Sequence, residues 1–450
     1  MSKKYLALLA TLWQVNLLLE RRFVSMKNRL KLVAIMIAAS VASAYAADWP
    51  WLYGPRRDHT SEQKGLLRTW PQEGPEVLWT VPMGPGFGGP AISGGQVYVL
   101  DRNEKVGDTL RVLDLASGKE LWTFGYEAPG TFMFAGSRTM PTVDGEHVYT
   151  VGPMGDLHAL STKTRKPVWR KNIWKDFGGA AQLPQWAIVQ NPLIYGDLLI
   201  VAPQTSQAGV VAYDKLTGAI KWQSSALSGV PGYVTPSIVK VAGEDQLVMI
   251  TAAVGRGRTA RDGSVNGLDP RTGKVLWTYT NWQCIIPVPQ ALDAGEGRVL
   301  ITGAYGAGTA MIKVEKKGDG TYAVFELFKN PDFGAHTQPP VLHGGHFYSH
   351  YTINERSDGL VAMSIDGQIK WKTDQQPPFV RGGSILADGL MLMTDGSTKL
   401  YLIEPSPAGF KPLASAVILE PGDNWAPLAL ADGKLLVRGQ KELKALRVAK

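Results

Sequence analysis

From about residue 77 onward the chain is written in short alternations of apolar and polar residues, broken at regular intervals by glycine. Pro90–Leu100 is typical: an apolar-alternating run, a Gly94-Gly95 turn, and a second alternating run. The same form returns at Pro141–Val151, Pro192–Val201, Pro236–Ile250, Pro289–Ile301, Pro340–Tyr351, Gly383–Met393 and Pro427–Val437. A period of two over runs this short predicts half-buried strands, and the glycines predict tight hairpins between them.

A second hairpin follows most of these starts. Asp114-Leu-Ala-Ser-Gly118-Lys-Glu-Leu-Trp122 returns as Asp214-Lys-Leu-Thr-Gly218-Ala-Ile-Lys-Trp222 and Asp269-Pro-Arg-Thr-Gly273-Lys-Val-Leu-Trp277. Looser copies run from Ser161 to Trp169, with Arg165 at the glycine position, and from Asp366-Gly367 to Trp371. The aspartate opens the turn by accepting backbone N–H groups, and glycine supplies the positive φ that closes it. Each unit is therefore four strands in about 45 residues, the period of a propeller blade. Trp79, Trp122, Trp169, Trp222, Trp277 and Trp371 mark the units, with Phe325 or Phe328 standing in where one tryptophan is missing. Each indole is expected to pack between neighbouring blades. The last unit stops after three strands, while the Trp79 strand (77–81) precedes the first full unit. The prediction is an all-β, eight-bladed propeller of four-stranded antiparallel blades, its ring closed by that N-terminal strand, which removes two exposed sheet edges.

Ahead of the propeller (75–450) the sequence predicts an arm over 47–74 lying on its surface. Residues 1–46 carry an export signal. Lys27, Arg29 and Lys31 precede an apolar run, Leu32 to Ala42, too short to span a bilayer, and Ala44-Tyr45-Ala46 is a small-x-small cleavage site. The mature chain would begin at Ala47, and Met26 is an alternative start that would leave residues 1–25 untranslated. The location implied is periplasmic or extracellular, with no membrane span after cleavage. Seven of the basic residues and one acid lie in residues 1–46, so most of the formal charge of +8 belongs to that segment. The remainder is close to neutral, which is no footprint for nucleic acid. Cys284 is the one cysteine. It excludes an intrachain disulfide, a thiolate zinc cluster and a Cys-x-x-Cys-His haem site, and with Ile285 and Ile286 after it reads as a buried small hydrophobe.

The Asp-x-x-Thr-Gly-x-x-x-Trp hairpin resembles the repeat of the PQQ-like propeller superfamily. Trp49-Pro-Trp-Leu-Tyr-Gly54-Pro55-Arg56-Arg57-Asp58, Leu78-Trp79 and the Trp425-Ala-Pro-Leu-Ala-Leu-Ala-Asp-Gly-Lys ending are similar to secreted bacterial members. The resemblance covers residues 48–450 and divides in its implications. One branch, the quinoprotein dehydrogenases of alcohols and sugars, implies pyrroloquinoline quinone (PQQ) in an axial funnel, stacked on a tryptophan beneath a vicinal disulfide. It also implies calcium held by Glu, Asn and Asp, with an Asp as general base. The other, resembling the outer-membrane β-barrel assembly lipoprotein, implies a non-catalytic scaffold. One cysteine rules out the vicinal disulfide, so the expectation leans to an exported, monomeric, non-catalytic propeller binding or scaffolding an envelope protein or a ligand. PQQ with calcium, and carbohydrate or small-molecule binding without turnover, are the alternatives.

The innermost strand of each blade starts at the funnel end, so the residues just before each start are the site candidates. They are Arg138, Trp186, Gln190, Asn191, Tyr233, His336, Gln338, Arg381, Asn424 and Trp425. Arg138, Arg381 and His336 suit an anion; Trp186, Tyr233 and Trp425 suit a flat or sugar-like body. The alternative is a wet polar channel whose groups satisfy one another. No catalytic signature is identified by spacing. His336, His343, His346 and His350 cluster without a carboxylate in the same turn and are read as surface or turn histidines rather than a metal site. Arg256, Arg258 and Arg261 sit in a glycine-rich loop that is no phosphate fingerprint. Glu355 and Asp358 are the local carboxylates that a calcium ion would use.

Overall fold

The structure, a computed structural model, describes residues 48–255, 257–352 and 359–450. The segment expected to be an export signal (1–46), Ala47, Arg256 and the segment holding Glu355 and Asp358 lie outside the described residues, as does the side chain of Arg258.

Eight antiparallel sheets follow one another around a ring, each hydrogen-bonded strand to strand in chain order. The first seven span 91–127, 142–172, 193–223, 237–279, 292–330, 341–372 and 384–417. The eighth has three strands, Ala429–Ala431, Lys434–Arg438 and Glu442–Arg447, and is completed by Val77–Pro82. Val77 lies opposite Leu446 and Pro82 opposite Glu442 in an antiparallel ladder, so the ring closes as the repeat count requires. Arg438 is wholly buried in this blade and donates to Gly88 O and Leu100 O of the first blade at 2.9 and 2.7 Å, tying the closing blade to its neighbour.

The repeat motif builds the contacts between blades. In the first blade Asp114 Oδ1 accepts from Ser117 N at 2.8 Å, and Gly118 closes the turn at φ +72°. Arg165 takes the same left-handed conformation at its glycine position, φ +59°. Four of the indoles sit on the turn of the following blade, while Trp277 Nε1 donates to Gln246 Oε1 of its own blade. Trp79 Nε1 donates to Leu115 O, Trp169 to Lys215 O, Trp222 to Pro270 O and Trp371 to Ser406 O. In the fifth blade Phe328, not Phe325, takes the tryptophan place against Gly367. It has no N–H to give, and Asn330 Nδ2 donates to Gly367 O at 2.9 Å instead.

The arm does more than lie on the surface. Trp49 exchanges backbone hydrogen bonds with Ile92 of the first blade, Pro50 O accepts from Val143 N of the second, and Arg57 donates to Ile194 O of the third. Gln290 of the fifth blade donates to Arg57 O. Thr60–Ser61 then pairs in parallel with Leu386–Ala387 of the seventh, and Leu67 N donates to Val448 O of the eighth. Apart from Val448, which follows the third strand of the eighth blade, these partners lie on or beside innermost strands, so the arm crosses one mouth of the ring. Trp49, Tyr53, His59 and Leu66 are buried there.

Candidate functional site

Repeat geometry converges the eight segments ahead of the innermost strands on the axis, where they enclose a chamber of about 240 Å³. Every blade contributes to it, from Phe87, Gly88 and Gly89 of the first to Trp425 and Pro427 of the eighth. Gly88 and Gly89 allow the close approach: a Cβ at Gly88 would stand 2.0 Å from Thr139 O, and one at Gly89 2.4 Å from Pro427 O. Leu52 and Tyr53 of the arm also line the chamber. The arm thus forms one end of a cup whose walls are the blade starts.

The chamber has two kinds of wall. Trp425 packs against Phe87 and Phe134, ring centroids 5.2 and 5.5 Å away, and the guanidinium of Arg381 lies 4.6 Å over the Trp425 ring. On the other flank Arg138 donates to Phe134 O and stands 5.2 Å from the Phe132 ring. Each cation thus lies within cation–π range of a ring of its own, Arg381 over Trp425 and Arg138 over Phe132. The third and fourth blades add Trp186 and Tyr233, centroids 5.0 Å apart.

Arg381 Nε donates to His336 Nδ1 at 2.7 Å, and His336 Nε2 lies 3.0 Å from Tyr305 Oη. Burial and the neighbouring Arg381 push the His336 imidazole down to about 3, so it is neutral in the chamber. Burial also lowers Arg138 to about 10, against the pull of Glu104, and leaves it charged at neutral pH. Tyr53 and Tyr305 both hold positive φ, 63° and 59°, a conformation that costs a bulky residue energy and that collects at functional sites. Four polar atoms on the lining residues are buried with no protein partner: Trp186 Nε1, Trp425 Nε1, Arg138 Nε and Gln338 Oε1. Among the described residues no aspartate or glutamate lines the chamber.

Of the ten residues selected from sequence, Arg138, Trp186, Asn191, Tyr233, His336, Gln338, Arg381 and Trp425 line this chamber. Gln190 and Asn424 are turned away from it. Gln190 exchanges both of its amide groups with the backbone of Ala202. Asn424 binds Ser397 O, Glu420 O and Gln440 N, which holds two loops together. Of the histidines, His336 and His350 are buried rather than at the surface, while His346 sits at its turn with Nδ1 2.9 Å from Gly344 O. Arg261 is exposed beside Asp262. Cys284 is buried, and burial pushes its thiol up to about 12. No three His, Cys, Asp or Glu among the described residues converge as a metal site would need.

Sequence reasoning passed over Tyr305, Phe87, Phe134, Leu52 and Tyr53. Tyr305 comes from the turn between the second and third strands of the fifth blade, Ala304–Ala307, where an aromatic between glycines 303 and 306 was the available signal. The others lie one to four residues outside the positions considered, or on the arm.

A buried ion pair steadies the chamber rim. Arg102 and Asp108, both with fully buried side chains, meet at 2.9 Å. Arg102 also donates to Ala128 O and Gly130 O, and Glu104 accepts from Gly136 N at 2.7 Å. These bonds clamp the loop that carries Phe132 and Phe134. Burial raises Asp108 to about 6, with Arg102 opposing.

Comparison with known proteins agrees with this architecture. A glycerol dehydrogenase large subunit from Gluconobacter thailandicus is 23% identical over 179 residues, 35% of this chain and 24% of that protein, so the match spans about a quarter of that relative's length. A europium-containing methanol dehydrogenase superposes with a TM-score of 0.61 at 13% identity, covering 88% of this chain and 90% of that one. The quinohemoprotein alcohol dehydrogenase of Comamonas testosteroni gives 0.61 at 15%, covering 89% and 80%. BamB of Moraxella catarrhalis gives 0.55 at 14%, covering 83% and 99%. At these identities the superpositions establish the fold alone. The family model that matches residues 106–373 is described as outer membrane protein assembly factor BamB, and with more than half of its length inside that match this chain belongs to that PQQ-like propeller family.

Proposed function

We propose that this chain is an exported, non-catalytic propeller that holds a small ligand in its axial chamber, at work in the periplasm or outside the cell. The observation that carries the reading is the chamber itself, walled by all eight blades, lined at one end by the arm, and left with four buried polar atoms that no protein group satisfies. Orphaned buried polar groups cost free energy unless a ligand or water meets them. The export signal over residues 1–46 supports the location.

The described residues of the chamber offer no carboxylate to the calcium and PQQ pair implied by the dehydrogenase branch, and Glu355 and Asp358 lie outside them. Calcium takes six to eight oxygens, usually with carboxylates among them, and no carboxylate lines the chamber among the described residues. Cys284, the one cysteine, is buried with its Sγ 3.9 Å from Ala304 O. Titrating the purified mature chain with PQQ, with and without calcium, and following dye reduction on an alcohol panel tests this directly. The reading expects no calcium-dependent uptake and no turnover; either one sinks it.

A second reading, a scaffold for an envelope protein, draws on the outer strand of the fifth blade. Tyr322–Asn330 pairs on one side only and leaves Phe325 and Leu327 about half exposed, a surface to which a partner strand could add. Loss of a co-purifying envelope protein on Phe325→Lys would support it.

A further inference from the structure

We infer that the outer edge of the second blade is a docking strip for an anionic lipid surface, met through its phosphate groups; this is independent of what the chamber holds. The strip is the outer hairpin turn of that blade, the outermost strand and the start of the loop beyond. Lys163, Arg165, Lys166, Arg170, Lys171 and Lys175 fall within 13 residues that hold no aspartate or glutamate. Pro167–Asn172 pairs on one side only and ends its sheet, so these side chains stand at the rim of the ring. All are exposed except Lys171, which is half-buried. Lys163 pairs with Glu146, and the other five have no carboxylate partner among the described residues. Asp176, the next acid along the chain, accepts from Asn172 N.

Comparison of the blades sets this edge apart. From the opening of the turn to the end of the outer strand the formal charge is +5 in the second blade (161–172). The same stretch carries −2 in the first (114–127), +1 in the third (214–223), fourth (269–279) and sixth (366–372), and 0 in the fifth (317–330) and seventh (404–417). Residues 47–450 hold only two more basic than acidic residues, so the rest of the propeller and arm is net acidic and a negative surface attracts this edge first. Two departures from the repeat build the excess. Ser161 stands where four other turns open on aspartate, and Arg165 stands where they close on glycine. Arg165 holds φ +59°, which glycine would adopt without strain, so the arginine is kept against a local cost.

The form of the strip selects a lipid surface over a protein. A specific protein interface has a fitted core from which charge is depleted, whereas Val168 is the one large hydrophobic exposed on this strip. The cations stand on long, flexible stems along roughly 20 Å, the length of six extended residues. Such a row reaches several mobile phosphates at once and asks for no fixed geometry, which is how basic segments hold anionic membranes. Charges on an edge strand also guard it against pairing with another chain. Here they continue past the strand at both ends, into the turn and the following loop, where there is no edge to guard.

The test is co-sedimentation of the mature chain with vesicles of equal parts phosphatidylglycerol and phosphatidylcholine, and with phosphatidylcholine alone. The anionic vesicles should bind it at about 0.05 M salt and release it at about 0.5 M, where the charges are screened; the neutral ones should not bind it. Each charge removed should weaken binding about fivefold. Arg165→Gly, which restores the residue of the repeat, should lose that factor with the fold intact. Lys166→Gln, Arg170→Gln and Lys171→Gln together should lose roughly a hundredfold, while Lys370→Gln with Lys372→Gln in the sixth blade should lose far less. Should the triple variant unfold, Arg165→Gly and the two vesicle types still decide. Equal binding to both vesicle types, or full binding by the triple variant, overturns the assignment. No binding to either type overturns it too. If poly-L-glutamate then binds the parent and not the triple variant, the strip belongs to an acidic protein instead.

Discussion

Arg381 gives its Nε–H to His336 Nδ1 across 2.7 Å, and that one bond fixes where the imidazole carries its proton. An arginine N–H can only donate, so Nδ1 must be the acceptor and the ring hydrogen sits on Nε2, directed at Tyr305 Oη. Protonating Nδ1 would set two donors face to face. The ring should therefore stay in the Nε2–H form from pH 8 to pH 5. Nitrogen chemical shifts of His336, assigned by loss of the signal in His336→Gln, check this. An imidazolium pattern at pH 6 would contradict it. Arg381→Met should release the constraint and mix the two tautomers without restoring an ordinary pKa, because burial is the larger cause.

Acid should weaken the fold over a definite window. Burial pushes His59, His158 and His350 down to about 4 and His336 to about 3. An unfolded histidine titrates near 6.5. Between pH 6.5 and 4 the unfolded chain takes up protons that the folded chain refuses, so stability falls as pH falls through that window and is level from these groups above pH 7. Asp108 runs the other way. Raised to about 6 by burial, it takes up a proton in the folded state first and offsets one histidine between pH 6 and 4. Urea midpoints measured from pH 7 to pH 4 should drop with a slope near three protons. His158→Phe, which keeps the packing against Tyr126 and Phe124, should reduce that slope by about one. A flat profile would refute the assignment.

The contact between blades should be sensitive at the glycine rather than at the aspartate of the repeat. Gly218 holds φ +70°, and a Cβ there would come 2.7 Å from the Trp169 ring. Gly218→Ala should cost about 1–3 kcal/mol, from left-handed strain plus displacement of the indole. In the fifth blade Asn330→Ala should cost about 1–3 kcal/mol by leaving Gly367 O without its donor. Thermal melts of the two variants against the parent provide the measurement, and an unchanged melting temperature for Asn330→Ala would show that the amide is no substitute for the missing indole N–H.

Removing Arg102 separates stability from site geometry. Arg102→Met leaves Asp108 buried and unpaired and should cost about 3–5 kcal/mol. Adding Asp108→Leu should recover most of that loss, since an apolar pair is tolerated where an ion pair stood. The double variant still lacks the donors to Ala128 O and Gly130 O. Amide exchange across residues 128–136 should therefore stay fast, and ligand affinity should stay weak, in a protein whose melting temperature is nearly restored. Restoration of both would demote Arg102 to a purely structural role.

How far the sequence could be read follows from what each feature depends on. The blades were legible because Asp114 to Trp122 and its copies are local: turn chemistry and alternation lie within nine residues of one another. Ring closure was legible because a three-strand ending and a spare strand at Trp79 leave one consistent pairing. Eight of the ten chamber candidates line the chamber for the same reason, since the repeat places each blade start at the axis. Gln190 and Asn424 stand at blade starts too, but a side chain beside a buried backbone polar group satisfies that group first, and no pattern in sequence tells which way it turns. Tyr305 and Phe134 reach the axis from turns and loops outside the repeat. The insertion of Tyr53 depends on where the arm crosses, which is a property of the assembled ring.

The pairing of Val77–Pro82 with Glu442–Arg447 also sets the order in which the protein can come together. Loop-closure entropy and contact order penalise a ladder whose partners are separated by nearly the whole propeller. Seven blades can form from neighbouring hairpins, while the eighth has to wait for a strand made before all of them. The arm adds a second such delay, since its anchors on the third, fifth and seventh blades do not share a surface until the circle is shut. The chamber is therefore among the last features to exist, assembled at the moment the molecule locks, and a chain halted one strand short would hold most of its sheet structure while having no place to bind anything.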